Sequence, residues 1–134
     1  MKKQSRDTIQ NRLDKNWSKI IRSVGKCEKC GSTKVLNAHH IIPRSFKATK
    51  WSLANGICLC VNCHRYRGAH SDSFLNQIEF HAWFWKYWKE NKYPLFGSFY
   101  DLMKESKYNG PDDLPIGEIR RLDEVLKLAV KGLG

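Results

Sequence analysis

Four of the five cysteines stand in two Cys-x-x-Cys pairs, and this pattern constrains the fold of the 134-residue chain most strongly. The pairs are Cys27/Cys30 and Cys60/Cys63, about thirty residues apart. Each pair brings two thiolates to one side of a tight turn, and two such turns complete a tetrahedral zinc site. Because that shell exists only when both turns meet, zinc should contribute directly to folding. Redox disulfides are the alternative, but two matched pairs favour metal. Cys58 has no such partner, and we expect it to be a small buried hydrophobe.

The charge balance indicates a polyanionic partner. Lys and Arg number 24 against 13 Asp and Glu, which gives a formal net charge of +11. Nucleic acid is the leading candidate and an anionic membrane surface the lesser one, while a basic chain that is merely soluble is the third reading. No apolar run is long enough to span a bilayer, and the basic N-terminus lacks the apolar core of a signal peptide. We therefore expect a cytoplasmic protein with no membrane partner.

Helical periodicity predicts three helices around a region of short strands. The helices span residues 5–24, 73–91 with Asp72 or Ser73 as the cap, and 116–131. Short strands are expected over 34–39 and 57–60, a helix or turn near Cys63, and a connector over 93–111 with a helical piece around 100–104. The expected fold class is α+β in one compact domain. Its segments are an N-terminal amphipathic helix (1–24), a core (25–72) and a helical C-terminal extension (73–134).

The second helix is unusually aromatic and is apolar on two sides. One stripe contains Phe74, Ile78, His81, Trp85 and Trp88, and the other contains Phe80, Phe84 and Tyr87. A helix that is apolar on two sides is usually packed on two sides. The second layer would be the C-terminal helix or the partner in a homodimer, with base stacking by some rings as a further alternative. We expect His81 to be a buried core histidine.

Histidines and one asparagine form a second constellation among the cysteines. His39 and His40 are adjacent, Asn55 follows His40 by fifteen residues, and His64 follows Asn55 by nine and abuts Cys63. This set resembles the three marks of the HNH (ββα-metal) endonuclease family, and the two Cys-x-x-Cys turns resemble its small bacterial and bacteriophage members. The tract from Lys50 to Cys60 looks especially phage-like. The resemblance covers roughly residues 15–72.

The resemblance implies a ββα-metal core, a structural zinc and metal-dependent hydrolysis of DNA. His40 would be the general base on water, because an imidazole titrates near neutral pH. His39 and His64 would hold a catalytic divalent cation such as Mg²⁺ or Mn²⁺, bridging the scissile phosphate and the leaving group. Asn55 would tie the loop between the strands and hold His40 in position, although an asparagine before a glycine is also a plain turn signal. The family's products carry a 5′ phosphate and a 3′ hydroxyl.

Two features complicate this assignment. Consecutive strand residues point to opposite faces, so His39 and His40 can face one site only if the strand ends or bends at Ile41, Ile42 and Pro43. Histidine-rich family members also have a further ligand four residues after the His64 position, where this chain has Gly68. His70 would reach the metal only if residues around Arg67 and Gly68 act as an insertion. A surface histidine or a phosphate contact is the alternative for His70.

Basic residues concentrate near the expected site: Arg44, Lys47, Lys50, Arg65 and Arg67. They suit phosphate contacts, which give affinity and salt dependence without reading sequence. A non-catalytic zinc-knuckle module that binds DNA or RNA would use the same surface. It would have no need of His40 and His64 at these spacings. A protein-interaction domain built on the aromatic helix is the third alternative. A phage or host DNA-processing partner fits the resemblance but does not follow from the residues.

Overall fold

A computed structural model describes residues 4–66, 68–92 and 114–133, together with positions 101 and 104. The helices are α1 (Arg6–Arg22), α2 (Phe74–Tyr87) and α3 (Ile116–Lys131), and the strands are β1 (Leu36–His40) and β2 (Gly56–Cys60). A 3₁₀ turn (Leu53–Asn55) precedes β2, and π-helical turns cover Asn62–Tyr66 and Trp88–Lys92. The predicted α+β class is confirmed. The predicted connector and its helical piece lie almost wholly outside the described residues.

The two strands form an antiparallel hairpin whose register places His40 opposite Gly56. Side chains alternate between the two faces of the hairpin. Ala38 and Cys58, which are paired, pack towards α1, whereas Ile57 and Leu59 pack on the opposite side. Cys58 is fully buried, as expected for a small hydrophobe. The hairpin therefore separates two clusters of buried side chains.

Helix α1 covers the first face of the hairpin. The Ser5 side chain caps it by accepting the Thr8 backbone N–H, which satisfies one of the free donors of the first turn. Its apolar stripe is buried against Cys58 of β2, Trp51 of the loop and two residues of α3, Ile119 and Leu126. The buried members of the stripe are Ile9, Leu13, Trp17 and Ile21.

Helix α2 and the π-helical turn after it cover the opposite face. Their residues Phe80, Phe84 and Trp88 pack with Ile57 and Leu59. The predicted division of its aromatic stripes is wrong in part. Trp88 belongs to the buried set, whereas Phe74, Ile78 and Trp85 are exposed, Phe74 by 74 %. The apolar residues of α3 pack in the other cluster, on α1. The homodimer and the three-segment division of the chain stay predictions. No helix in the described part of the chain is long and apolar enough to cross a membrane.

Candidate active site and metal centres

The two Cys-x-x-Cys turns meet in space. The Sγ atoms of Cys27, Cys30, Cys60 and Cys63 all lie within 4.8 Å of one another, and those of Cys30 and Cys60 are 3.6 Å apart. Tetrahedral zinc with Zn–S bonds of about 2.3 Å places its sulfurs about 3.8 Å apart. All five cysteines lie in the described part of the chain, and all five are free thiols. The cluster fits a four-coordinate zinc ion.

Backbone N–H groups point to two of these sulfurs, which favours the thiolate form that binds a cation. The Cys30 N–H points to Cys27 Sγ and the Cys63 N–H to Cys60 Sγ, each at 3.5 Å. Burial acts to raise the pKa of Cys27, but backbone hydrogen bonds from Cys60 and Cys30 outweigh it and lower that pKa to about 7. Burial and the neighbouring Cys60 thiol raise the pKa of Cys63. Four thiols this close cannot all ionise unless a cation offsets their charge, and a zinc ion would supply that charge.

Glu28, inside the first turn, ties the cysteine cluster to the rest of the fold. Its Oε2 accepts the Cys58 backbone N–H at 2.7 Å, and its Oε1 accepts the Tyr87 hydroxyl at 2.5 Å. The Lys92 ammonium lies 2.7 Å from the same Oε1. Glu28 is not recognisable from the sequence, because its partners lie thirty and more positions away and no local pattern marks them.

Three histidines form a second cluster beside the hairpin. His39 of β1, His64 of the π-helical turn and His70 each offer one ring nitrogen, and these nitrogens lie within 4.8 Å of one another. The ring centroids form a nearly equilateral triangle with sides of 5.0, 4.9 and 4.8 Å. The described residues thus contain a compact all-imidazole set of the size that one metal ion requires.

The protonation of His39 and His64 suits a metal as well. Burial, together with the positive charges that His64 and His70 would carry, lowers the pKa of His39 to about 3. Burial and His70 lower the pKa of His64 to about 4. Neutral imidazoles keep a lone pair for coordination. His64 Nδ1 is also buried without a hydrogen-bond partner among the described residues, and a bound ion would give such a nitrogen a partner.

The turn after His64 brings His70 next to His39 and His64. The Ala69 N–H donates to the Cys63 carbonyl at 3.1 Å and the His70 N–H to the His64 carbonyl at 2.8 Å. Each bond spans six residues instead of the four of an α-helix. Gly68 makes the widened turn feasible, because a Cβ there would lie 1.6 Å from the Cys63 carbonyl oxygen. Two extra residues therefore bring His70, and not position 68, beside His39 and His64.

His40 lines the same cleft as the three histidines, but its ring contacts other residues. Its Nε2 is 2.8 Å from the Lys50 carbonyl oxygen, and its ring stacks on Trp17 at 3.8 Å between centroids and 9° between planes. Since a carbonyl can only accept, Nε2 carries the hydrogen, and Nδ1 of the neutral ring keeps its lone pair. Burial is the main cause that lowers the pKa of His40, and it favours the neutral form of the ring.

Asn55 fixes the loop between the strands. Its side chain is fully buried; Oδ1 accepts the Ile42 N–H at 2.7 Å, and Nδ2 donates to the carbonyls of Ile42 and Thr49 at 3.0 and 3.1 Å. Thr49 immediately precedes Lys50, whose carbonyl oxygen holds His40. The amide therefore reaches His40 through one intervening residue of the loop and not by direct contact.

The two adjacent histidines share one cleft although they occupy opposite faces of β1. The strand ends at His40, and the chain bends at Ile41 and Ile42, as the shared site requires. The cleft has a volume of about 740 Å³, and its lining includes His39, His40, His64, His70, His81, Arg44 and Arg65. His81 is exposed, so the expectation of a buried core histidine is wrong.

The five basic residues expected to contact phosphate differ in their surroundings. Arg44 and Arg65 are exposed and line the cleft, while Lys47 is half-buried and is not among the lining residues. The Lys50 ammonium lies 3.4 Å from Asp14, and its side chain is only 14 % exposed. Lys50 is thus turned towards α1 and away from the cleft. Arg67 lies outside the described residues.

Comparison with protein-family models gives a match that coincides with this site. Residues 27–70 match the family model described as HNH endonuclease. The matched segment begins at the first zinc-site cysteine and ends at His70, so it contains both clusters and confirms the resemblance. It indicates nuclease activity in general. Searches of curated proteins and of solved structures found no match.

Proposed function

We propose that this protein is a metal-dependent endonuclease that hydrolyses phosphodiester bonds of DNA. One observation carries the proposal: the triangle of His39, His64 and His70 shares a cleft with His40, whose Nδ1 has a free lone pair. A structural zinc site requires none of these four imidazoles, since four thiolates complete it.

His40 would act as the general base. Its Nδ1 takes a proton from the attacking water, while the Nε2–H bond to the Lys50 carbonyl keeps the ring in the tautomer that leaves Nδ1 free. Asn55 supports this arrangement by holding the Thr49 carbonyl, one residue before Lys50. Arg44 and Arg65 line the cleft and suit contacts to the DNA phosphates.

The catalytic ion would be held by His39, His64 and His70. When bound, a divalent ion supplies positive charge to the scissile phosphate and to the leaving 3′ oxygen. Three imidazoles suit ions such as Ni²⁺ or Zn²⁺ best, and Mn²⁺ accepts imidazole ligands more readily than Mg²⁺, which requires oxygen ligands. We therefore expect Mg²⁺ to support weaker activity than Mn²⁺, with 5′ phosphate and 3′ hydroxyl products.

DNA is the expected substrate because HNH nucleases act on DNA and because the chain carries a net charge of +11. Phosphate contacts give affinity that falls with salt and that depends little on base sequence. If about six phosphates are contacted, the logarithm of the binding constant should fall with log salt with a slope of about −5.

Cleavage of supercoiled plasmid at low salt tests the proposal, with Mn²⁺ or Mg²⁺ added and EDTA as the control. Wild type should relax or linearise the plasmid only with a divalent ion. The His40→Ala variant should lose at least about a hundredfold in rate, although it stays folded and zinc-loaded. A wild-type protein that binds the plasmid but never cuts it would favour the non-catalytic DNA-binding module.

A further inference from the structure

We propose that Trp17 of α1 is a positioning residue for His40, so that α1 is part of the catalytic unit. The inference rests on the proposed role of His40 as general base. It adds a residue from outside the segment that matches the family, which begins at residue 27. Trp17 lies in the predicted helix over residues 5–24, where no sequence pattern distinguishes it from the other apolar residues of that helix.

The contact between the two rings is close and nearly parallel. The centroids of Trp17 and His40 are 3.8 Å apart, and the ring planes differ by 9°. Trp17 is itself fixed, because it is 2 % exposed and its Nε1–H donates to the Ser52 carbonyl at 2.9 Å. A fixed indole therefore covers one face of the imidazole.

Stacking supplies a restraint that hydrogen bonding alone does not. The bond from Nε2 to the Lys50 carbonyl fixes one ring nitrogen but still permits the ring to rotate about that bond. The outer torsion of a histidine side chain is broad and weakly restrained by its own chemistry. Contact with the Trp17 face sets the plane of the ring. The two restraints together fix the direction in which Nδ1 presents its lone pair.

Gly56 provides the space for this contact. It lies directly opposite His40 in the hairpin register. A Cβ at this position would be 2.3 Å from Ile21 Cδ1 and 2.8 Å from Trp17 Cζ2. Its φ of −132° is an ordinary extended conformation, so the position needs glycine for space and not for backbone freedom. Gly56 thus lets α1 approach close enough for Trp17 to stack on His40.

The experiment compares Trp17→Leu, Trp17→Phe and Gly56→Ala with wild type, using full-length zinc-loaded protein. Leu13→Ala is the matched control, since Leu13 is a fully buried residue of the same helix and cluster. For each protein we would measure zinc content, thermal stability, and kcat and KM for plasmid cleavage with Mn²⁺. Proton NMR shifts of the His40 ring report the stack directly, because the indole shifts the protons that lie over its face.

Trp17→Leu should lower kcat about tenfold to a hundredfold with KM changed less than about twofold, and the ring-current shift of His40 should vanish. Gly56→Ala should act in the same direction without altering either ring. Trp17→Phe should restore most of kcat, because it keeps a ring under His40. Leu13→Ala should lose stability but retain kcat and the shift. If Trp17→Leu fails to retain zinc, Trp17→Met takes its place.

Two results would overturn the inference. The first is a folded Trp17→Leu protein with wild-type kcat. The second is a loss of kcat in Leu13→Ala as large as that in Trp17→Leu, which would assign Trp17 a purely structural role. Failure of the proposed function is distinguishable, because wild type itself would then not cleave. In that event, the NMR shift still tests the ring contact. Loss of the His40 shift only in the Trp17 and Gly56 variants would uphold the contact. Persistence of the shift in those variants would overturn the contact as well.

Discussion

At the scale of single residues, Asn55 determines the shape of the loop that carries the Lys50 carbonyl. Replacing it by alanine leaves the buried Ile42 N–H without its acceptor and removes two donated hydrogen bonds. Asn55→Ala should therefore lower the free energy of unfolding by about 2–3 kcal/mol. It should also lower kcat, because His40 loses a fixed partner. Urea unfolding of zinc-loaded protein and plasmid cleavage measure the two effects.

Asn37 is the matched control for that variant. It lies on β1, and its buried Nδ2 has no hydrogen-bond partner among the described residues. Asn37→Ala removes no hydrogen bond of that nitrogen, so it should change stability by less than about 1 kcal/mol. Equal losses in the two variants would show that the hydrogen bonds of Asn55 do not determine the loop.

Gly68 determines whether His70 reaches the other two histidines. A Cβ at this position would meet the Cys63 carbonyl oxygen at 1.6 Å, and a backbone atom cannot move aside cheaply. Gly68→Ala should displace the turn. It should also weaken binding of the metal ion at the three histidines by at least about tenfold. Calorimetric titration of Mn²⁺ into zinc-loaded protein measures this. Gly117→Ala is the control, because nothing lies within 4 Å of a Cβ there. Unchanged Mn²⁺ affinity in Gly68→Ala would argue against His70 as a ligand.

The spacing of residues along the chain predicted some members of the candidate site. It did not predict the contacts between separate elements, and the reason is physical. The cysteine pairs and the positions of His39, His40, Asn55 and His64 are short-range patterns, so they could be read along the chain. The stacking of Trp17 on His40, the hydrogen bonds of Glu28 and the turning of Lys50 towards Asp14 join residues from separate elements. Such contacts depend on how elements pack, and neither periodicity nor spacing encodes them.

At the scale of elements, a part-buried ion pair docks α3 on α1. Arg12 Nε and Nη2 donate to the two carboxylate oxygens of Asp123 at 2.9 and 2.7 Å, and Asp123 is buried. Arg12→Ala leaves this carboxylate with Lys127 alone, at 3.3 Å. The variant should lose about 2 kcal/mol of stability by thermal or urea unfolding. Arg121→Ala, which removes an exposed pair within α3, should change stability little; equal losses would contradict a docking role.

The same pair sets a pH dependence of stability. The hydrogen bond from Arg12 lowers the pKa of Asp123 below its ordinary value. A carboxyl whose pKa is lower in the folded state stabilises the fold above its unfolded pKa of about 3.9. That contribution is lost as the pH falls through the folded-state value. Arg12→Ala should therefore differ from wild type at neutral pH and converge with it in strong acid.

Helix boundaries were predictable where a helix has one clean apolar stripe. The predicted helices over 5–24 and 116–131 match α1 and α3 closely, because each has one apolar stripe. The aromatic helix was harder, since rings occur all around it and periodicity cannot decide which stripe is buried. Packing on Ile57 and Leu59 decides in favour of Phe80, Phe84 and Trp88.

At the scale of the whole molecule, a zinc ion bound by the four cysteines would link segments that are far apart in the sequence. The cysteine cluster joins the loop after α1 to β2 and to the turn that carries His64. Structural zinc contributes about 10–16 kcal/mol in small zinc domains, which equals or exceeds the stability of a typical domain. Chelation of zinc should therefore unfold the protein, as circular dichroism would record. His70→Ala should retain zinc and melt near the wild-type temperature. A native spectrum after complete zinc removal would contradict this role.

Cleavage that depends on a second, histidine-bound metal is the most direct test of the proposed chemistry. We would titrate Mn²⁺ into zinc-loaded protein and measure single-turnover cleavage of plasmid at each concentration. The rate should rise with Mn²⁺ and saturate in wild type. His70→Ala should require at least about tenfold more Mn²⁺ at unchanged zinc content. Identical Mn²⁺ dependence in both proteins, or cleavage by zinc-loaded protein that needs no second metal, would contradict a catalytic centre at His39, His64 and His70.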